Sequence, residues 1–352
     1  MIMSWKFEVC EDWSIIQGEV YKKKWLDLLE KSPSAHVFFH PALVKAWMET
    51  YFPLRDIKPI FVWGHNGDNE VFFPLVYWKK NWKNAFLRSI VPAGYSDFDY
   101  HDPIFRSDIN KVEVEDFWAN LCLFLNKYKY DEIVFDGIHE RNLSTCFDTI
   151  YSEPCPYIPI CGISTLDEFK STLPRKLRLD INRRTKKASE MGEIEILTYD
   201  YNSIDSAISI IPHMLHLHSQ RWPKAYKAPN FHKNLIAEGL KSCVLFFNQM
   251  NINNLPISWR IGFIYKSIFY SYMPTIDPNF LKLSPGKLHL INCIDYAITN
   301  NYSKYDQLRG SELYKSEWTS QYDTIYNIRK RNTAITSQIK YRLNSLKTKL
   351  FK

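Results

Sequence analysis

FYSYMPTIDPNFLKLSPGKLHLINCIDYAITNNYSKYDQLRGSELYKSEW, residues 269–318, decides the fold of this chain. Its first five residues are mostly aromatic and predict a strand over 269–273. A loop with prolines follows, and Ser284-Pro285-Gly286 then opens a helix that ends near Asn301. A short strand is predicted over 304–308. We therefore expect a strand, a loop, a helix and a second strand in this order.

The three residues that open this helix also predict a possible binding site. Serine is a good N-cap, and proline fits the first helical position because its missing N–H would have no intrahelical partner there. Gly286 leaves the free N–H groups of the first turn open to approach, and such groups bind phosphate. Ser284-Pro285-Gly286 is thus either a phosphate seat or simply an efficient helix start.

The residues around and after the helix extend the pattern. In their order they resemble the C-terminal half of N-acyltransferases of the GNAT superfamily. The most similar branch has two GNAT-like domains, is called CelD-like, and is related to the Fem peptidoglycan aminoacyltransferases. The resemblance covers the C-terminal half of the chain well and the N-terminal half weakly. The residues that carry it are Ile276-Asp277-Pro278, Leu283-Ser284-Pro285-Gly286, Asp306, Arg309-Gly310, Glu312 and Tyr314-Lys315.

This resemblance implies an α+β fold with two tandem GNAT-like domains, each a mixed central sheet flanked by helices, and a cleft between them. A chain of 352 residues is long enough for two domains of ordinary size. Pro154–Pro159 is typical of a stiff connector or edge strand between the halves. The expected domains are an N-terminal domain over 1–162, a C-terminal domain with the acyl-CoA site over 163–330, and a basic helical tail over 331–352.

The tail carries apolar residues at roughly helical spacing, which are Ile335, Ile339, Leu343 and Leu346. We expect it to pack on the rest of the protein as an appendage.

Composition restricts the class of ligand and the compartment. The chain is 45% apolar, and its net charge of +7 favours an anionic ligand such as coenzyme A, a nucleotide or nucleic acid. The seven cysteines include no CxxC pair, which argues against a metal site or a disulfide framework and favours reduced thiols. The N-terminal letters do not form a secretory signal, and no run approaches a membrane span. We expect a cytoplasmic protein without a metal.

The first half alternates strands and helices in a pattern that agrees with a GNAT-like domain. His65-Asn66-Gly67-Asp68 between two apolar runs predicts a hairpin. The loop 94–103 is rich in acidic and aromatic residues, which suits recognition of an acceptor substrate. The alternative is a solvated turn whose aspartates cap the local backbone. The candidate acceptor-binding residues of this loop are Tyr95, Asp97, Asp99 and His101.

Two further segments of the second half carry candidate groups. The basic segment 175–187 could bind RNA or neutralise phosphates, or it could be a solvated helix face. His218, Arg221 and Trp222 match an "H..RW" element of the related enzymes. His218 lies near a helix C-terminus, where the helix field is expected to keep it protonated. It is either a proton-handling residue or a structural histidine, and zinc is not expected because no carboxylate or cysteine accompanies it at metal spacing.

The resemblance also implies how a thioester donor would be held. In GNAT enzymes a splayed strand offers backbone amides to the thioester carbonyl, and the next helix N-terminus holds the pyrophosphate. By position these are residues 269–274 and 284–287, so that Met273, Ser284, Gly286 and Lys287 are candidate coenzyme A contacts. The chain departs from the usual phosphate loop, because Leu281 stands where glutamine or arginine would and Ser284 replaces the first glycine.

Candidate catalytic groups are those that could move a proton or stabilise charge. His218 has a suitable intrinsic pKa, Asp306 or Glu312 could act as a base if desolvated, and Lys315 could stabilise charge on the donor carbonyl. Water-relayed deprotonation without a dedicated base is also open. Arg309, Glu312 and Tyr314 are candidate substrate contacts. The alternative is an ion-paired turn, Arg309 to Glu312, that closes the domain.

Three functions remain in competition. The first is a cytosolic N-acyltransferase that uses an acyl-CoA donor, acetyl or a short hydroxyacyl such as 3-hydroxybutyryl, because the chain resembles enzymes acylating dTDP-linked 3-amino-3,6-dideoxyhexoses. Its acceptor would be a nucleotide-linked amino sugar for surface polysaccharide such as O-antigen. The second is Fem-like transfer from aminoacyl-tRNA, which predicts tRNA binding through 175–187. The third is a non-catalytic nucleotide-binding module.

Overall fold

The computed structural model describes residues 5–79, 86–223 and 228–350, with side chains up to residue 346. The chain divides into two compact units, Met1–Glu153 with Thr324–Lys352, and Pro154–Asp323. The domain limits expected from the sequence stay predictions. Residues 351 and 352 of the expected tail lie outside the described residues.

The first unit is an antiparallel meander that ends in one parallel pair. Strands β1 to β4 pair antiparallel in sequence order, and β4 pairs parallel with β6 after a helical crossover. The short β5 pairs with β3. The elements are β1 Lys6–Cys10, α1 Trp13–Ile16, α2 Glu19–Lys31, α3 Pro41–Tyr51, β2 Lys58–Asn66, β3 Asn69–Lys79, β4 Arg88–Pro92, β5 Ile104–Phe105, α4 Lys111–Leu125 and β6 Glu132–His139.

The hairpin between β2 and β3 is confirmed. Asn66 pairs with Asn69 across a two-residue loop, and Gly67 adopts a positive φ of 61°. Such a loop needs left-handed backbone, which glycine adopts without steric cost. This turn fixes the register of both strands.

The second unit repeats the same order of elements. Strands β8 to β11 pair antiparallel in sequence order, and β11 pairs parallel with β12 after the crossover helix α9. Its elements are α5 Leu166–Thr172, α6 Arg175–Met191, β8 Ile194–Tyr199, α7 Ile204–Arg221, α8 Phe231–Lys241, β9 Leu245–Ile252, β10 Leu255–Tyr265, β11 Ile268–Ile276, α9 Pro285–Thr299, β12 Lys304–Asp306 and α10 Leu313–Ser316. The strands β7 Asp148–Pro159 and β13 Tyr322–Arg331 cross the two limits between the units, and α11 Ile335–Leu350 belongs to the first unit.

In both units a first strand is followed by helices, three antiparallel strands, a crossover helix and a parallel strand. The first unit has three helices after its first strand and the second unit has two, and the first unit adds the short β5 before its crossover helix. The α+β class with mixed sheets flanked by helices is confirmed, although the letters of the two halves show no repeat. In each unit, the final parallel strand also pairs with a strand that is distant from it in the sequence. Residues of β7 pair antiparallel with β12 in the second unit, and residues of β13 pair antiparallel with β6 in the first unit.

The C-terminal helix α11 is attached by polar contacts to Asp131. Ser337 Oγ donates to Asp131 Oδ1 at 2.7 Å, and Lys340 Nζ donates to Asp131 Oδ2 at 2.8 Å. The Arg88 backbone N–H donates to the same carboxylate at 2.8 Å. The apolar stripe noted in the sequence does not make this attachment, because its members are exposed, namely Ile335, Ile339, Leu343 and Leu346.

Replacing Asp131 by asparagine should lower the free energy of unfolding by about 2 kcal/mol, since charge-assisted hydrogen bonds are lost at a buried site. Burial alone would raise the pKa of Asp131, but Arg88 and Lys340 lower it to about 2. The Asp131 charge therefore contributes fully to the free energy of unfolding at pH values above its ordinary pKa. This contribution is lost as the pH falls through about 2. Thermal unfolding from pH 7 to pH 2 measures this.

The exposed Asp108 supplies the matched control. Asp108→Asn should leave the midpoint of unfolding unchanged at every pH. An Asp131→Asn variant as stable as wild type at pH 7 would contradict the anchoring role.

Candidate functional site

The parallel strands β11 and β12 of the second unit diverge soon after they meet. Their pairing extends only over Ile268–Tyr270 and Lys304–Asp306, whereas β11 continues to Ile276. A bulge lies at the point of divergence, because β11 has one residue more than β10 between two paired positions. Bulges bend a strand and re-aim its groups. Beyond Tyr270, the backbone N–H and C=O groups on this edge of β11 therefore do not pair with β12. We call the space between the diverging strands the gap.

Gly262 of β10 stands opposite this bulge and is required there. A Cβ atom at position 262 would lie 2.7 Å from the backbone oxygen of Tyr270, closer than real Cβ contacts. The backbone oxygen cannot move away as a flexible side chain could. Glycine therefore permits the close approach of β10 to the bulged part of β11.

The helix α9 begins at the open end of this gap, as the sequence predicts, but its N-cap is unusual. Ser284 lies in the left-handed region with φ 56° and ψ 56°, and its side chain makes no capping hydrogen bond. The expectation that Ser284 is an ordinary N-cap is therefore wrong, since an N-cap side chain reaches the helix from extended backbone. The preceding loop is a short 3-10 helix over Pro278–Leu283.

This start leaves a backbone donor open. The amides of Lys287 and Leu288 both donate to the Ser284 carbonyl oxygen, at 2.9 and 3.2 Å. The Gly286 amide has no hydrogen-bond partner within the described part of the chain. A Cβ atom at position 286 would approach Ile276 Cγ2 at an ordinary 3.5 Å, so the fold itself does not demand glycine here. The geometry suits an anion at the helix N-terminus.

Two cations of α6 flank this helix start. Asp180 of α6 contacts both of them, Arg183 at 2.6 Å and Arg184 at 3.3 Å, and it also contacts Lys287 Nζ of α9 at 2.9 Å. Hydrogen bonding from Lys287 is the main reason why the pKa of Asp180 lies well below its usual range. Lys287 also pairs with Glu317 at 2.9 Å, so its charge is already shared between two carboxylates. As a coenzyme A contact, Lys287 stays a prediction.

Arg260 of β10 is a buried cation beneath α9. Only 5% of the residue is exposed. Its guanidinium donates to the Gly286 carbonyl oxygen at 2.7 Å and to Ser271 Oγ at 3.3 Å, while its Nε has no partner. No carboxylate among the described residues pairs with Arg260. A buried charge without a counter-ion is costly, which makes this position exceptional.

Tyr305 of β12 lies opposite Phe269, and the two rings stack with centroids 4.9 Å apart. Its hydroxyl group is fully buried and has no hydrogen-bond partner. Burial raises the pKa of Tyr305 far above its ordinary value, while the charge of Arg260 and the Ser271 hydroxyl act in the opposite direction. Tyr314 is close enough to raise the pKa further. Arg260, Ser271, Tyr305 and Tyr314 thus meet at the divergence of β11 and β12.

A second polar group lies farther along α9. His289 places its ring nitrogens 2.8 Å from Ser258 Oγ and 2.8 Å from Asn248 Oδ1. Complete burial keeps its pKa well below the ordinary value, so the ring is neutral. Burial likewise raises the pKa of the Cys293 thiol to about 11, which makes it unreactive at neutral pH. These groups are internally satisfied and position α9 on the sheet.

The predicted catalytic residue Lys315 holds a turn together. It is 3% exposed, and its ammonium group donates to the carbonyl oxygens of Leu308 and Arg309 at 3.2 and 2.6 Å. It also pairs with Glu312 at 3.0 Å, which uses its third donor. Asp306 Oδ1 accepts the Leu308 amide at 2.8 Å. The turn is thus ion-paired through Lys315 and Glu312. The pair of Arg309 with Glu312 that the sequence left open as an alternative stays a prediction.

The group His218, Arg221 and Trp222 lies at the end of α7. Helix α7 packs on the other face of the sheet from α9, because His213 contacts Trp259 while the next residue, Arg260, bonds to α9. Burial, with a smaller effect of Arg221, lowers the pKa of His218 to about 4. The expectation that the helix field keeps His218 protonated is therefore wrong, because desolvation outweighs it.

The loop 94–103 of the first unit is not a solvated turn. Asp97 accepts hydrogen bonds from Trp47 Nε1 at 3.0 Å and Tyr51 OH at 2.8 Å, which fixes α3 to the loop. His101 is fully buried, with Nδ1 2.6 Å from the Asp136 carbonyl oxygen. Burial raises the pKa of Tyr95 to about 12. Asp99 is half-buried in the same loop. Binding of an acceptor by these residues stays a prediction.

An aspartate–histidine pair in the first unit was not predicted. Asp102 is buried and accepts the His139 backbone amide at 3.0 Å and Asn142 Nδ2 at 2.6 Å. Burial alone would raise the pKa of Asp102, but His139, whose Nδ1 lies 2.5 Å from Oδ2, holds it well below the usual range. Asp102 thereby fixes the ring orientation of His139 at the end of β6.

Sequence reasoning also missed Arg260, Ser271 and Tyr305. One signal was present, because an arginine stands inside the mostly apolar run Ile257–Ile264 that predicts a buried strand. Within the described ranges no cluster of residues could hold a metal ion, and no helix is long and apolar enough to cross a membrane.

Comparisons with known proteins agree with this geometry. Residues 175–316 match the family model of the acetyltransferase (GNAT) domain. Curated proteins gave no match. The crystal structure of FemX is similar, with 11% identity, a TM-score of 0.60, and coverage of 92% of this chain and 98% of FemX. A protein of unknown function from Bacteroides thetaiotaomicron has 9% identity, a TM-score of 0.58, and coverage of 92% and 100%.

A third similar structure is the C-terminal domain of a putative lysylphosphatidylglycerol synthetase from Agrobacterium fabrum. It has 9% identity, a TM-score of 0.54, and coverage of 82% of this chain and 92% of that one. At these identities the similarity concerns the fold alone. Residues 175–316 are thus similar to the acetyltransferase (GNAT) domain family, and the chain shares its overall fold with FemX.

Replacing Gly286 by valine should weaken coenzyme A binding about tenfold or more, because a branched side chain would cover the open amide of α9. Folding should change little, since the first added carbon meets only Ile276 at ordinary distance. Isothermal titration calorimetry with coenzyme A and thermal unfolding measure the two effects. Leu281→Ala, an exposed change in the preceding loop, is the control. Unchanged affinity in Gly286→Val would remove the phosphate seat.

Replacing Lys315 by methionine should lower the free energy of unfolding by about 3 kcal/mol, because two buried carbonyl groups and Glu312 lose their partner. Denaturant unfolding of the purified variant measures this. Lys186→Met, at an exposed position of α6, should have no effect. A Lys315→Met protein that keeps its stability but loses activity would instead support the catalytic role predicted from the sequence.

Proposed function

We propose that this protein is an acyl-CoA-dependent N-acyltransferase whose acceptor is the amine of a nucleotide-linked amino sugar. The observation that carries the proposal is the divergence of β11 and β12 directly before the start of α9. This divergence offers the backbone groups of β11 to a thioester and the Gly286 amide to a phosphate within one gap. The cations of α6 beside this gap favour a phosphate-rich donor.

The reaction requires a neutral amine, a stabilised tetrahedral oxyanion and a protonated leaving thiolate. Amides on the open edge of β11 would stabilise the oxyanion, as preorganised donors do in acyl transfer. His218 is neutral at pH 7 because its pKa is about 4, so it can accept a hydrogen bond from the amine but is a weak base. Tyr314, which is near enough to Tyr305 to affect its pKa, would donate a proton to the thiolate.

The acceptor assignment rests on the residues of the first unit. The half-buried Tyr95 and Asp99 of loop 94–103 carry a hydroxyl and a carboxylate group, which suit a polyhydroxyl ligand. The amino sugar would be destined for surface polysaccharide, with dTDP as its expected nucleotide. In this setting the cytoplasm, where acyl-CoA and nucleotide sugars are available, is the expected compartment.

A second candidate is transfer from aminoacyl-tRNA, which the cations of α6 favour. Arg175, Lys176 and Lys187 lie on exposed parts of this helix and have no partner among the described residues. They could contact a nucleic-acid backbone. The inward cations of the same helix are engaged, since Arg184 donates to the Lys282 carbonyl oxygen at 2.8 Å and pairs with Asp180.

Thiol release with DTNB tests the proposal directly. Purified protein is incubated with acyl-CoA donors from acetyl to 3-hydroxybutyryl and with dTDP- or UDP-linked amino sugars. We expect release that requires both donor and amino sugar. Release that does not depend on the amino sugar would contradict the acceptor assignment.

The tRNA alternative and the non-catalytic alternative predict different results in the same system. If no donor releases thiol and the protein binds tRNA, and if this binding is lost in a Lys176→Gln, Lys187→Gln double variant, aminoacyl transfer is favoured. If no donor releases thiol and the protein binds only nucleotides, a binding module is favoured.

A further inference from the structure

Two buried polar groups beneath α9 have hydrogen-bonding capacity that the described residues leave unused. Arg260 has five N–H donors, of which two are engaged, by Ser271 Oγ and the Gly286 carbonyl oxygen. Its Nε is buried without a partner. The Tyr305 hydroxyl is also buried without a partner. Because more than nine in ten buried polar groups are satisfied in folded proteins, two exceptions in one place require a cause.

These groups surround a single point of the fold. Ser271 is in the bulge of β11, Tyr305 is on the facing strand β12, and Arg260 reaches under the first turn of α9 from β10. The Arg260 guanidinium lies 3.3 Å from Ser271 Oγ, and the Tyr305 ring stacks on Phe269, two residues before Ser271 in β11. In agreement with this placement, burial raises the pKa of Tyr305, and Arg260 and the Ser271 hydroxyl both act against this rise. They therefore line the closed end of the gap whose open end is the start of α9.

The occupant of this closed end must supply acceptors and negative charge. A phosphate group fits the open helix start but not a position where Arg260 is 5% and Tyr305 0% exposed. A neutral hydroxyl could accept one hydrogen bond, but it would leave the guanidinium without a counter-ion. A carboxylate satisfies the remaining N–H groups of Arg260 and the O–H of Tyr305 and neutralises the charge.

We propose, on the basis of the function proposed above, that Arg260, Ser271 and Tyr305 bind a carboxylate at the far end of the donor's acyl group. The donor is then the coenzyme A thioester of a short dicarboxylic acid, rather than an acetyl or hydroxyacyl thioester. Arg260 is a specificity-determining residue, because its guanidinium pairs with the carboxylate at the far end of the acyl group. It does not contact the thioester group that reacts.

Length-matched donors isolate the carboxylate. Isothermal titration calorimetry with the full chain compares malonyl-CoA with propionyl-CoA and succinyl-CoA with butyryl-CoA, and 3-hydroxybutyryl-CoA forms a separate arm. We expect the carboxylated member of at least one pair to bind about tenfold or more tightly, as a charge-assisted hydrogen bond at a buried site implies. The 3-hydroxybutyryl thioester should bind no better than the butyryl thioester.

Arg260→Met should abolish the difference within each pair, and Tyr305→Phe should reduce it. Arg342→Met, a change at an exposed arginine of α11, removes the same charge from the protein and should leave the preference intact. Arg260→Met should fold, because replacing an unpaired buried charge by an apolar side chain of similar size is often neutral or stabilising. Tyr305→Phe provides the same test if it does not.

Equal affinities within both pairs, tighter binding of the 3-hydroxybutyryl thioester, or a preference that survives Arg260→Met would overturn the inference. If neutral donors still bind and release thiol with an amino sugar, the proposed function stands and only the carboxylate inference fails. If none of these coenzyme A derivatives binds, both fail together.

Discussion

The extra residue in β11 opposite Gly262 is the feature on which the second unit depends. Without the bulge, β11 and β12 would stay in register as parallel strands, and no backbone donors would be left for a ligand. Because β11 and β12 separate, the first turn of α9 faces the gap between them and not a pair of hydrogen-bonded strands. The same divergence turns Ser271 toward Arg260 and lets the guanidinium reach the Gly286 carbonyl oxygen.

The first unit has the same order of elements but a closed helix start. Its crossover helix α4 begins with a full capping box, in which Asn110 accepts the amides of Val112 and Glu113 while Glu113 accepts the Asn110 amide. The first-turn donors of α4 are thus engaged, and a carboxylate already lies beside them. At α9 the Ser284 side chain makes no such bond. Of the two crossover helices, only α9 is built to receive an anion.

The sequence predicts the parts of this site that depend on local chemistry. Turn residues, prolines and apolar alternation gave the β2–β3 hairpin, the start of α9 and the order of strands, because each is decided within a few residues. Prediction from the sequence failed for properties that depend on how deeply a residue is buried in the folded protein. The pKa of His218 follows from its desolvation and not from its place in the helix. Loop 94–103 is polar in its letters, yet Asp97 and His101 are held by groups distant in the sequence.

The role of Arg260 could likewise not be predicted from the sequence. Its contacts in the structure indicate whether it serves stability or ligand binding. Lys315, the other buried lysine or arginine among the described residues of the second unit, pairs with Glu312, and the half-buried Lys304 pairs with Asp323 and Asp306. Their charges are explained by the turns and strands that they hold. Arg260 has carbonyl and hydroxyl partners only, and an apolar side chain at this place would avoid the cost of desolvating a charge. Stability therefore does not account for a guanidinium under α9, whereas an anionic ligand that enters between β11 and β12 does.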